Sequence, residues 1–412
     1  MRTLTWRGLT AALLLCATPV LAGEWLPSTN AKKAGFDAAR LERIAPVMQR
    51  HVDDGRLAGA AMVIARDGKV VYKQAVGYAD LDSKTPMTTD GVFRIYSMTK
   101  AVTTTAAMIL VEEGKLRLTD PVSKFAPAFA NTKVYVSGDG EYAIVEDMKT
   151  PMTVHHLMTH TSGLPYGGTT PATAAYNDVN SSGARNLAEL IDVIASKTLV
   201  FQPGERWMYG LSTDVLGYVV EVASGQPFED FVRERITGPL GMDDTSFVLE
   251  PHHDGRLVSA YNDNEDGLVP PQGIGARSYE FEDVIPSGGA GLLSTPADYL
   301  RFTQMLLNGG ALGNIRLLSP RSVELMARNH LKDDQRFAPG FGFGLGFAIT
   351  EDPGLQKTFL SEGAYAWAGA ADTHFWIDPE KNLIAIAMTQ LFSTRSPLRD
   401  DMRTLTYQAL VD

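Results

Sequence analysis

The chain has 412 residues, 44% of them hydrophobic and 21% charged, with a formal net charge of −11. That balance is ordinary for a globular protein with a large core, and it excludes the broad basic face that nucleic-acid binding requires. Length alone allows two or three domains.

The first 22 residues predict a cleavable leader. Arg2 and Arg7 supply positive charge, Leu9 to Leu21 a short apolar run, and Val20-Leu21-Ala22 a small-residue cleavage site before Gly23. The run is too short for a stable membrane anchor. Cys16 is the one cysteine and lies inside this segment. Leu15 precedes it where a lipoprotein signal wants a small residue. The mature chain is then exported, periplasmic or secreted, and has no disulfide, thiolate zinc site or cysteine nucleophile.

Phe36 to Asp53 has apolar residues at helical spacing. Gly59 to Ala65 and Lys69 to Tyr78 are apolar runs joined by Arg66-Asp67-Gly68, a β-hairpin pattern. Ala101 to Gly114 reads as a buried helix with a glycine stop. Further helices are predicted over 153–159, 187–196, 213–223 and 229–236. Residues 249–285 have little periodicity and predict a long surface excursion. A helix over 296–308, strands over 341–349, 373–378 and 383–390, and a closing helix over 399–411 complete the chain. Strands near both ends with helices between them predict a discontinuous α/β domain, 23–95 with 286–412. A mainly helical domain, 96–285, is inserted into it.

Three short segments carry candidate chemistry. The first is Ser97-Met98-Thr99-Lys100 at the start of the apolar helix. Residues i and i+3 share a helix face, so Lys100 can reach the Ser97 hydroxyl. The helix N-terminus favours developing negative charge. Burial is expected to disfavour the Lys100 ammonium and so let the amine help to deprotonate serine. By itself the pattern is equally that of a helix cap and a solvated lysine. The second segment, Pro203 to Ser212, contains Tyr209, whose phenol is either a proton acceptor beside a cation or a satisfied core hydroxyl. The third, Tyr365-Ala366-Trp367-Ala368-Gly369-Ala370, is a small-residue strand on which substrate can lie flat, or on which Gly369 merely permits close packing.

In this order the three segments resemble the serine β-lactamase and penicillin-binding protein superfamily, nearest to the family VIII carboxylesterases and the class C β-lactamases. Supporting phrases are Phe93-Arg94-Ile95-Tyr96, Leu157 to Leu164 and Gly288-Gly289-Ala290-Gly291-Leu292. The resemblance implies an α/β (α+β) β-lactamase-like fold, an antiparallel sheet flanked by helices beside a helical domain, with the site between them. It implies Ser97 as nucleophile, Lys100 and Tyr209 jointly as the proton-transfer pair, and the N–H groups of Ser97 and Ala370 as the oxyanion hole. No metal or organic cofactor is expected. The chain departs from class C enzymes where Leu211 replaces the asparagine of Tyr-x-Asn and Trp367-Ala368-Gly369 replaces Lys-Thr-Gly. An amide and a cation that suit an anionic acylamino substrate are thereby lost, and Trp367 supplies an apolar wall. With Leu211, Trp367 and Gly369 as substrate contacts, a small-molecule ester, of short acyl chain, ranks above a β-lactam or a D-Ala-D-Ala peptide.

Three other patterns are weighed and set aside. Gly210-Leu211-Ser212 lacks the second glycine of a lipase elbow. The pairs His155-His156 and His252-His253 are adjacent residues that should point apart, as core or surface side chains. His160 reads as a turn residue.

Overall fold

The computed structural model describes residues 25–411 except 266, 273–278, 280–283 and 394–395, so the leader and part of the excursion over 249–285 lie outside the described residues. The hairpin is present as β1 (Gly59–Arg66) and β2 (Lys69–Asp80). With β3 (Thr85–Pro86), β4 (Phe341–Phe343), β5 (Ala348–Thr350), β6 (Tyr365–Ala368), β7 (His374–Asp378) and β8 (Leu383–Met388) they form an eight-stranded sheet in the order β4-β5-β6-β7-β8-β1-β2-β3. Every pairing in it is antiparallel. The first and last parts of the chain meet where β1 pairs with β8, Ala61 opposite Met388 and Val63 opposite Ile386.

The period of two along a strand explains why β1 and β8 read as unbroken apolar runs. Ala61, Val63 and Ala65 of β1 and Ile384, Ile386 and Met388 of β8 enter one core; Ala60, Met62, Ile64, Leu383, Ala385 and Ala387 enter the other. The first core is shared with α2 (Thr99–Glu112), α4 (Ser212–Ser224) and α5 (Pro296–Leu307). The second is closed by α1 (Ile44–Asp53) and α6 (Leu398–Tyr407). The helix α3 (Leu187–Ala195) lies against α4 and completes the first core. No helix among the described residues is long and apolar enough to cross a membrane.

Expectation and structure differ at three places. Residues 341–349 form two strands rather than one. Gly346 turns left-handed (φ 89°), and Gly344 N–H donates to Phe347 O at 2.8 Å, which folds the segment into a tight hairpin. The helix-rich middle contains an additional hairpin, Lys133–Ser137 with Ile144–Asp147. Within 249–285, Tyr261–Asn264 pairs with Gly267–Val269 and lies parallel to Leu391–Phe392, so this stretch carries strands as well as loop.

Candidate active site

Ser97 sits in a 3-10 turn, Tyr96–Met98, that leads directly into α2. Tyr96 is held at φ 41°, a left-handed conformation unfavourable for a bulky residue. The strained turn lets the backbone pass from the strand Phe93–Arg94 into the helix at Ser97. The helix itself is buried from Thr99 to Leu110, and Thr105 Oγ1 donates back to Ala101 O at 2.9 Å.

Lys100 is 1% exposed. Its Nζ donates to Gly289 O at 2.7 Å, Tyr166 OH at 3.0 Å and Ser97 Oγ at 3.4 Å. These three acceptors match the three hydrogens of an ammonium. Burial acts against the charge, but attraction to Tyr166, Tyr209 and Asp214 outweighs it, and the Lys100 pKa is raised above the ordinary lysine value. The expectation that burial would disfavour the ammonium is therefore corrected: desolvation operates, and the surrounding oxygens more than offset it. Burial also pushes the Tyr166 phenol up, against the opposing pull of Lys100.

Tyr166, Gly289 and Asp214 carry no role in the sequence reading. Asp214, on the first turn of α4, accepts from Ser287 Oγ and from Gly289 N at 3.2 Å, which aims the Gly289 carbonyl at Lys100. A Cβ on Gly289 would collide with the Asp214 carboxylate. Thr103 of α2 fastens the same segment by donating to Gly288 O at 2.7 Å. The phrase Gly288 to Leu292 was the sequence signal for this loop, but nothing local in it points to a lysine 189 residues away.

Tyr209 presents its ring face to Lys100, with Nζ 4.7 Å from the centroid. Its hydroxyl accepts from Trp367 Nε1 at 3.2 Å. Trp207, Tyr166, His160 and Trp367 all pack within ring-contact distance of Tyr209. Trp207 stacks in turn on Phe337, and Trp367 meets Phe343 edge-on. The segment is pinned by Met208 N–H donating to His160 O at 2.9 Å and by Gly210, where a Cβ would strike the Leu164 carbonyl. His160 is the turn residue expected, left-handed at φ 54°. Burial first, and the Lys100 charge second, hold its pKa well below the ordinary imidazole value.

The third segment comes to the same place. Trp367 is on β6, half-buried. Gly369 is buried against the Ile95 carbonyl and the Thr373 hydroxyl, where a Cβ would not fit, so the strand end lies directly against the nucleophile turn. Ala370 is exposed just beyond it. Among the described residues neither Ser97 N–H nor Ala370 N–H has a protein acceptor. Leu211, at the N-terminus of α4, is 5% exposed and packs in the first core.

Ser212, the serine of the near-elbow, is fully buried and shares a hydrogen bond with Ser162. His252 and His253 depart from expectation. A 3-10 turn brings both ring nitrogens to Asp244, the two rings 4.3 Å apart. Asp244 is already engaged by both Nη atoms of Arg256, and His253 Nδ1 accepts from Glu250 N–H, which leaves the proton on Nε2, the atom a metal would need.

The family model described as Beta-lactamase matches residues 44–409. Esterase EstB of Burkholderia gladioli is 34% identical over 380 residues, which cover 86% of this chain and 91% of the relative. A putative D-alanyl-D-alanine carboxypeptidase of Escherichia coli (strain K12) is 26% identical, covering 95% of this chain and 92% of the relative. Among solved structures, EstCE1, a hydrolase with promiscuous acyltransferase activity, superposes with a TM-score of 0.78 at 29% identity, over 92% of this chain and 99% of that one. With a strained serine turn, a saturated lysine and a glycine-ended strand brought to one point of that fold, the chain belongs to the Beta-lactamase family.

Proposed function

We propose that the protein is a serine carboxylesterase that cleaves small esters of short acyl chain through a Ser97 acyl-enzyme. The observation that carries this reading is Lys100 Nζ, within hydrogen-bond reach of Ser97 Oγ and backed by Tyr166 and Gly289, with the Tyr209–Trp367 pair beside it. Ser97 Oγ attacks the ester carbonyl, and its proton passes to the Lys100–Tyr209 pair once that pair has released one proton to solvent and stands as amine with phenol or ammonium with phenolate. The oxyanion is met by the N–H groups of Ser97 and Ala370, each such donor worth about 3 kcal/mol of barrier. The alcohol leaves with the proton, and water then hydrolyses the acyl-enzyme. Similarity to Esterase EstB and to EstCE1 supports ester chemistry. The leader directs export to the periplasm or beyond, with cleavage between Ala22 and Gly23.

A second reading, β-lactam or D-Ala-D-Ala peptide cleavage at the same serine, is favoured by similarity to the putative carboxypeptidase. It is opposed by Leu211 and Trp367, which offer no amide or cation to such a substrate. Assaying a p-nitrophenyl butyrate ester beside a chromogenic cephalosporin, with Ser97→Ala as control, separates the two. Ester turnover that exceeds lactam opening and disappears in the variant is expected. Efficient lactam opening would promote the second reading, and full ester activity in Ser97→Ala would end both.

A further inference from the structure

We infer that Arg399 on the C-terminal helix is a positioning residue: with Asp372 it clamps the turn that presents the Ala370 N–H to the reacting carbonyl. The inference rests on the reading of Ala370 as an oxyanion donor.

The turn runs from Gly369 to Thr373, between β6 and β7. It is closed by Gly369 N–H to Thr373 O at 2.7 Å and by Asp372 N–H to Gly369 O at 3.1 Å. Asp372 is left-handed (φ 58°), a conformation that a non-glycine residue keeps only when its surroundings hold it. What holds it is visible. Asp372 is 4% exposed; its Oδ1 accepts from Arg399 Nε at 2.6 Å and its Oδ2 from Ser396 Oγ. Arg399 Nη2 reaches the Gly369 carbonyl at 3.4 Å. One guanidinium therefore touches both ends of the turn, while Leu391 N–H pins Ala371 O at 3.0 Å. The Ala370 N–H, on the exposed residue of this turn, has no protein acceptor among the described residues.

A planar guanidinium that bridges a carboxylate and a carbonyl fixes orientation as well as distance, which a lysine point charge does not. An oxyanion donor contributes only when it lies at hydrogen-bond distance from where the charge develops. A displacement of about 1 Å costs about 100-fold in rate. Without Arg399 the buried carboxylate loses its cation and the left-handed turn loses its reason to persist. Ala370 then leaves its place, although no residue that touches substrate has been changed.

The test compares Arg399→Gln, Arg399→Lys and Asp372→Asn in the purified protein; asparagine tolerates the left-handed backbone. Ester kinetics are read together with inhibition by a phenylboronic acid, whose boron bonds to Ser97 Oγ and places an anionic oxygen in the oxyanion position. For Arg399→Gln we expect kcat to fall about 10- to 100-fold, with KM within about twofold, and boronic-acid affinity to weaken by the same factor as kcat. Arg399→Lys should recover part of both, and Asp372→Asn with Arg399→Gln should be no worse than the poorer single variant. If Arg399→Gln does not fold, Arg399→Lys and Asp372→Asn decide by the same two readouts. A fall in thermal midpoint with kcat and boronic-acid affinity unchanged would reduce the pair to a fastening of the helix, and the inference would be wrong. Boronic-acid inhibition that survives in Ser97→Ala would instead overturn the site assignment itself.

Discussion

On the lysine side of the site, Lys100 is buried and each of its three hydrogens meets an oxygen, while Tyr166, Gly289 and Asp214 behind it are themselves partnered. On the aromatic side, Tyr209, Trp207 and Trp367 stay partly open and are held by ring contacts and the Trp367–Tyr209 hydrogen bond. A buried, saturated polar cluster allows little adjustment, because any donor or acceptor left unpaired there costs about 1–3 kcal/mol. Stacked rings tolerate small shifts, since their attraction is spread over many weak atom contacts. The proposed function puts proton transfer where the two sides meet, at Lys100 and the Tyr209 hydroxyl, and substrate fit on Trp367.

Changes on the lysine side, and at the Tyr209 hydroxyl that faces it, should have the larger effects. Ser97→Ala is expected to lower ester turnover by at least about 10³-fold, with the fold retained by circular dichroism; retained turnover would move the nucleophile elsewhere. Lys100→Met keeps the length of the side chain and removes its donors. It should lower kcat about 10²- to 10⁴-fold and also lower the thermal midpoint, because Gly289 O and Tyr166 OH lose their partner. A Lys100→Met protein as stable as the parent would mean that this side is not saturated as described. Tyr209→Phe keeps the ring against Lys100 and loses the hydroxyl. Single-turnover acylation should slow about 10²-fold while stability changes by only about 1 kcal/mol; an unchanged acylation rate would remove Tyr209 from proton transfer.

Trp367→Phe is expected to change kcat less than about tenfold while shifting the ranking of acyl chains in a p-nitrophenyl ester series. An unaltered ranking would take substrate fit away from the aromatic side. The smallest effect separates the two sides by pH. The His160 pKa is lowered in the folded state, so below about pH 6.5 the unfolded chain takes up a proton that the folded chain refuses, and stability falls as pH falls. The Lys100 pKa is raised, so its stabilisation is present below the ordinary lysine pKa and is lost as pH rises through the higher folded value. His160→Asn, which tolerates the left-handed backbone, should flatten the acid limb of a midpoint-against-pH curve by up to about 1.4 kcal/mol per pH unit and leave the alkaline limb unchanged. Equal slopes in parent and variant would show that His160 is not held neutral.

What could be read in advance was local. Ser97 and Lys100 are three residues apart, and a helix converts that spacing into proximity by its own geometry. The apolar runs of β1 and β8 predict strands, and the family resemblance points to Tyr209, Trp367 and Ala370 as the residues whose roles are proposed. What the chain order conceals is which distant groups come to meet them. Tyr166 and Gly289 reach Lys100 from 66 and 189 residues away, and Arg399 reaches Asp372 across 27. The Lys100 pKa is raised by Tyr166, Tyr209 and Asp214 against the burial of its apolar helix, and His252 and His253 converge because a 3-10 turn and Asp244 draw both rings to one side. Local spacing specifies short-range geometry; the protonation of a buried group and the aim of a backbone carbonyl depend on the field of everything packed around them, and that is set only when the chain closes.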